Sequence, residues 1–350
     1  MNRIAAIVLP ALFITTSAAL GEIRLQGAGA TFPNPIYQRW VTEYEKMHPD
    51  IKIDYQSIGS GGGIKFLTDR TVDFAGSDAP MNRKEQEATA APVLQIPSIA
   101  GGVAVAYNLP AFNGELKLTG PVVAEIFLGK IAKWNDAKIA AINPDTSLPD
   151  LAITPVFRTD GSGTNFVFTN YLGTQSDEFL ENVGVGKQVK WPVGQGGKGS
   201  EGVTAVVQRT PGAIAYVEQS YATANRIPVV SIRNRSGKFV RPSPEAVSAA
   251  GEGALSKMRK TLAVSIWNQP GDNAYPISSF SYLIVYQDLN NLKSAERAKA
   301  LVDFLKWATT DGQKMAASMD YAPLSEGVQK KVSEALSTLT FDGKAVAELK

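Results

Sequence analysis

Three short segments share one chemical pattern. Each is a run of glycine with serine or threonine, set where a strand should end and a helix begin: Gly27-Ala28-Gly29-Ala30-Thr31-Phe32, Gly59-Ser60-Gly61-Gly62-Gly63 and Asp160-Gly161-Ser162-Gly163-Thr164. Glycine lets the backbone turn and approach a ligand closely. The free N–H groups of a first helical turn point outward, and the helix dipole adds partial positive charge to them. Together they make an anion site that needs few formal charges, and the hydroxyls of Thr31, Ser60, Ser162 and Thr164 add donors. One such loop is ordinarily just a helix cap. Three of them, with Arg158 two residues before Asp160, point to a tetrahedral oxyanion, because a guanidinium fork engages two oxygens. The bland alternative is an Arg158–Asp160 surface pair of little consequence.

Asp78, in Ala75-Gly76-Ser77-Asp78-Ala79-Pro80, discriminates among anions. A carboxylate beside an anion site is repulsive unless the ligand carries a proton that the carboxylate accepts. Phosphate near neutral pH keeps at least one proton; sulfate keeps none. A site built around a required hydrogen bond rejects an analogue lacking it by roughly 10⁴ to 10⁵. The alternative is that Asp78 only caps the turn before Pro80.

The elements that must position these residues alternate in type. Ile23-Arg24-Leu25-Gln26 and Ile51-Lys52-Ile53-Asp54-Tyr55 read as strands, and Val72-Asp73-Phe74-Ala75-Gly76 as a short buried strand. Residues 35–47 carry Ile36, Tyr37, Trp40, Val41, Tyr44 and Met47 at helical spacing, a second helix is expected from Ile64 after a glycine loop at 59–63, and a long amphipathic helix over 301–319. The class is therefore α/β with mostly parallel pairing. Two apolar stretches, 99–107 and 275–285, are placed to carry the chain between domains. Roughly 330 residues beyond the leader exceed what one core serves. The expected organisation is a discontinuous lobe I of 22–103 and 275–350, with lobe II, 104–274, inserted.

Met1-Asn2-Arg3, an apolar run from Ile4 to about Phe13 and the small residues 15–21 form a secretory signal peptide over 1–21. The chain has no cysteine, so it has neither disulfides nor a lipid-bearing N-terminal cysteine. A leader without an anchor predicts free diffusion in a periplasm. Lys+Arg is 35 against Asp+Glu 33, a balance that argues against a broad nucleic-acid or membrane surface and makes anion recognition local.

The sequence resembles the phosphate-binding proteins of high-affinity phosphate ABC importers, which are periplasmic solute-binding proteins. The stretches that carry the resemblance are GAGATFP (27–33), IGSGGG (58–63), VDFAGSDAPM (72–81), LGKIAKWND (128–136), DGSGTNFVFTNYL (160–172), KWPVGQGGKGSEG (190–202), PGAIAYVE (211–218) and DYAPL (320–324). The resemblance implies two α/β lobes of the type II-like periplasmic binding protein fold, each a mixed, mostly parallel sheet flanked by helices, closing on phosphate. Its ligand positions fall on Thr31, Phe32, Ser60, Asp78, Arg158, Ser162, Gly163 and Thr164, with Asp160 holding Arg158. It also implies a monomeric receptor without metal or cofactor whose partners are inorganic phosphate and the permease subunits of the importer with their ATPase. Gly61 and Phe157 stand where some relatives have a further serine and arginine.

Two rivals remain: a receptor for another oxyanion of the sulfate or molybdate type, and a secreted phosphatase. Asp78 argues against the first. A hydrolase needs a base beside its nucleophile, and the sole histidine, His48, reads as a helix-end residue away from all three loops. Gly194-Gln195-Gly196-Gly197-Lys198-Gly199-Ser200 only superficially resembles a nucleotide-binding P-loop. It is expected to start a helix through 203–208 and to leave Lys198 exposed.

Overall fold

Strand alternation near the start of the described chain is clear over Ile51–Ser57, where Ile51, Ile53 and Tyr55 are buried and the residues between them are not. The computed structural model describes residues 21–110, 112–259 and 261–349; the leader assigned to the N-terminus falls, but for its last residue, outside the described residues. Eight strands form one curled sheet: β1 (Ile23–Gly29), β2 (Ile51–Ser57), β3 (Phe74–Ser77), β4 (Val93–Tyr107), β5 (Thr154–Arg158), β6 (Gln195–Gly197), β7 (Ala213–Glu218) and β8 (Ser278–Tyr286). Their order is β2-β1-β3-β8-β4-β7-β5-β6. β1 runs parallel to β2 and β3, and β5 parallel to β6 and β7. The antiparallel pairs lie between these two sets. β4 pairs with β8 over Val93–Gly102 and with β7 over Val103–Tyr107. A strand buried along most of its length, as β4 is, reads as a continuous apolar run because helices or loops cover both faces.

Helices follow the parallel strands. α1 (Asn34–Met47), α2 (Ser60–Thr68), α3 (Gly163–Gly173) and α4 (Gly199–Arg209) start just beyond β1, β2, β5 and β6. Their N-termini therefore gather at the carboxyl ends of the strands, where open α/β sheets bind ligands. The α/β expectation holds, with helices flanking a mixed sheet. Among the described residues no helix is long and apolar enough to cross a membrane.

Two local expectations are corrected. The glycines at 61–63 do not form a loop; the helix begins at Ser60 and includes them. Packing overrides their low helix propensity: a Cβ on Gly63 would lie 2.5 Å from the Gly29 Cα and 2.6 Å from the Ala28 carbonyl oxygen. Bare glycine thus lets α2 lie directly on β1 and fixes where Ser60 sits. The long helix expected over 301–319 is interrupted: α5 (Ala295–Ala308) ends and two short 3₁₀ turns follow, Asp311–Met315 and Ala317–Met319. The break turns the Gly312 carbonyl to the buried Trp40 indole, which donates to it at 2.8 Å. α5 itself is tied to β1: Arg297 donates to both oxygens of buried Asp73 (2.9 and 2.8 Å) and to the Arg24 carbonyl (3.1 Å).

Gly63→Ala is expected to force α2 off β1 and lower stability by about 1–3 kcal/mol. A urea midpoint equal to that of the parent chain would contradict this packing account.

Candidate anion-binding site

The nine residues singled out in the sequence meet at those carboxyl ends. Thr31, just beyond β1, lies with its hydroxyl 2.8 Å from that of Ser200, and accepts from the Ser200 N–H at 3.2 Å. The Thr31 carbonyl accepts from the Tyr221 hydroxyl at 2.7 Å. Phe32 is fully buried, and its carbonyl accepts from the Tyr321 hydroxyl at 2.6 Å. The 31–32 turn is thereby held by Ser200, Tyr221 and Tyr321.

Ser60 opens α2. Its hydroxyl oxygen accepts from the Asp78 N–H at 3.2 Å and from the Gly163 N–H at 3.1 Å. The Gly61 N–H donates to the Gly161 carbonyl at 2.8 Å, so the loops after β2 and β5 touch. Ser162 caps α3 by accepting from the Asn165 N–H at 3.0 Å, which leaves its own proton to give. In an α-helix the first N–H groups lack intrahelical acceptors, and those of Gly163 and Thr164 are in that position.

Arg158 ends β5 and is 4 % exposed, so it is not half of a surface pair. Its Nε donates to Asp160 Oδ1 at 2.8 Å and Nη2 to Oδ2 at 2.5 Å. Nη1 reaches Thr164 Oγ1 at 3.4 Å and Ser200 Oγ at 3.5 Å. Asp160 also accepts from the Gly199 N–H at 3.0 Å. Burial alone would raise the Asp160 carboxyl, but the Arg158 hydrogen bonds and charge outweigh it and hold the group below its usual value. The guanidinium is thus oriented and its charge largely compensated by Asp160. Two of its five N–H groups are committed to Asp160, and Nη1 faces Thr164 and Ser200.

Asp78, just past β3, is 1 % exposed. Oδ1 accepts from the Ser281 hydroxyl at 2.7 Å. Oδ2 is buried with no hydrogen-bond partner, an arrangement that costs free energy unless something supplies a proton. Burial pushes the carboxyl up from 3.8 to about 7, against the opposing hydrogen bond from Ser281 and charge of Arg158. A Cβ on Gly163 would sit 2.4 Å from Ser60 Oγ and 2.5 Å from Asp78 Oδ2. Only glycine at 163 allows the α3 N-terminus, the serine and the carboxylate to come this close.

Sequence reasoning missed two polar members of this cluster. Ser200 carries the same signature as the other loops, a Gly-Ser pair opening a helix, in the run expected to start a helix through 203–208. Lys198 in that run is exposed, as expected. Ser281 sits mid-strand with no glycine beside it, and nothing in the linear sequence marks it. His48 caps the end of α1 at an exposed position, its ring tilted by 31° against Tyr44.

A PBP superfamily domain model matches residues 15–311. The chain is 43 % identical over 344 residues to the phosphate-binding protein PstS of Pasteurella multocida, covering 97 % of this chain and 98 % of that protein. It is 41 % identical to the phosphate-binding protein PstS of Methanocaldococcus jannaschii over 332 residues, covering 88 % and 84 % of the two. Among solved structures, a high-affinity periplasmic phosphate-binding protein (PfluDING) bound with phosphate superposes with a TM-score of 0.71 at 20 % identity, covering 89 % of this chain and 93 % of that one. That likeness speaks for the fold. Near end-to-end coverage at this identity makes the chain a member of the PstS family of phosphate-binding proteins, within the PBP superfamily.

Proposed function

We propose that the chain captures inorganic phosphate among these residues and hands it to the membrane permease of an ABC phosphate importer. The observation that carries the reading is the unpartnered, buried Asp78 Oδ2, facing the same space as Ser60 and the Gly163 N-terminus. An acceptor there suits a tetrahedral anion that still holds a proton and opposes one that does not. Helix N-termini, hydroxyls and Arg158 supply donors for the remaining oxygens. The names of the curated relatives agree with this reading.

On this reading Thr31, Phe32, Ser60 and Asp78 belong to lobe I (22–103 and 275–350) and Arg158, Ser162, Gly163 and Thr164 to lobe II (104–274), with Asp160 holding the arginine. The lobes close on the ligand by a hinge, and exclusion of water strengthens each hydrogen bond. The receptor is a periplasmic monomer freed from its leader. It performs no covalent chemistry: no histidine lies near the cluster, and Ser60, Ser162 and Ser200 are engaged by backbone N–H groups and a neighbouring hydroxyl.

Arg158→Lys keeps the charge but loses the fork; phosphate affinity measured by calorimetry should fall at least tenfold, and parent-like affinity would place the arginine outside the site. Asp78→Asn should narrow the preference for phosphate over sulfate, and unchanged discrimination would remove Asp78 from its role. The same variant has a stability signature. Because the folded Asp78 carboxyl titrates at about 7 rather than 3.8, the folded ligand-free chain binds more protons than the unfolded chain between those values. Its contribution to stability therefore falls as pH rises through that window. Asp78→Asn should melt higher than the ligand-free parent at pH 8, with the difference vanishing near pH 4; equal melting at both would contradict the buried, desolvated carboxyl.

A further inference from the structure

The two oxygens of Asp78 are not equivalent, and one buried serine makes them so. Ser281 gives its single hydroxyl proton to Oδ1 at 2.7 Å and is itself fully buried. Its backbone carbonyl accepts from the Ser98 hydroxyl at 3.0 Å, and that hydroxyl lies 2.6 Å from the Tyr37 phenol oxygen. With the Ser98 proton committed to the carbonyl, Tyr37 is the donor to Ser98. A directional chain, Tyr37 to Ser98 to the Ser281 backbone, therefore holds the residue that holds Asp78.

Strand register places Ser281 there. The β8–β4 ladder slips between Ser281 and Tyr282: Ser281 stands opposite Ile99 and Tyr282 opposite Pro97, leaving Ser98 as the extra residue of a bulge. Bulges re-aim side chains and recur beside functional sites. This one sits where β8 passes Asp78.

We propose that Ser281 is a specificity-determining positioning residue: by occupying Oδ1 it leaves Oδ2 as the one acceptor for the ligand and keeps Asp78 an acceptor rather than a donor. The proposal rests on the phosphate reading and deepens it. A buried carboxyl that loses its only hydroxyl donor on Oδ1 takes up a proton more readily. It then becomes a donor itself and tolerates an unprotonated oxyanion. The titratable groups that act on Asp78 from the surrounding elements are Arg158 from β5, Tyr37 from α1, Tyr55 from β2 and Tyr282 from β8. Burial holds the three phenols neutral, so among these only Arg158 brings charge, and it opposes the proton uptake that loss of Ser281 favours.

The test is calorimetric titration of ligand-stripped parent, Ser281→Ala, Ser281→Thr and Ser281→Cys with phosphate and with sulfate between pH 6 and 8.5. Ser281→Ala is expected to lose at least tenfold in the phosphate-to-sulfate ratio and to bind sulfate up to a higher pH than the parent. Ser281→Thr, which restores the hydroxyl, should recover the parent ratio and profile. Ser281→Cys, a weak donor of similar size, should fall between them and serves if the alanine variant does not fold. Parent-like ratio and pH profile in both Ser281→Ala and Ser281→Cys would overturn the role of Ser281 while leaving the phosphate reading intact. A parent chain that binds no phosphate would overturn both.

Discussion

The constraint on which the rest of the structure depends is electrostatic: a cluster suited to an anion carries almost no positive charge of its own. Arg158 is the cation of the cluster, Asp160 is locked on it, and Asp78 adds a second carboxyl. Attraction must therefore come from oriented dipoles and hydroxyls, and these weaken quickly with distance. Four helices have to begin within reach of one point, which the sheet achieves because β1 and β2 run opposite to β5 and β6, so that the carboxyl ends of the two sets face each other. Glycine is needed at Gly63, where α2 lies on β1, and at Gly163, against the Ser60 and Asp78 side chains.

The cluster also depends on parts of the chain that are far apart. Thr31 and Ser200, Ser60 and Gly163, and Asp78 and Ser281 are separated by between 103 and 203 residues, and each pair is joined by a hydrogen bond. Strand β4 connects the two sets of parallel strands by changing partner at Gly102/Val103. If the proposed lobes move, they move about this part of the sheet, and the contacts after β2 and β5 are those that opening would break.

Much of this was legible in the sequence because it is local chemistry. Gly-Ser-Gly and Gly-Ser-Gly-Thr runs announce helix N-termini wherever they occur, and Arg158 and Asp160 are two residues apart. The expected site residues accordingly gather in one place. What linear reasoning could not supply depends on packing. Gly61–Gly63 read as a loop because propensity disfavours glycine in helices, and only contact with β1 makes them helical. The interrupted helix after Ala308 answers to Trp40, which lies 272 residues from Gly312. Ser281 depends on a one-residue slip in strand register, which no periodicity reveals.

The central claim is that Asp78 Oδ2 accepts a proton carried by the ligand. Neutron diffraction from crystals of the phosphate-loaded protein tests it most directly, because it locates that hydrogen. The account predicts a protonated phosphate oxygen within hydrogen-bond distance of Oδ2, with the Ser281 hydroxyl still on Oδ1. A bound phosphate that presents no proton to Asp78, or an Oδ2 turned away from it, would contradict the account.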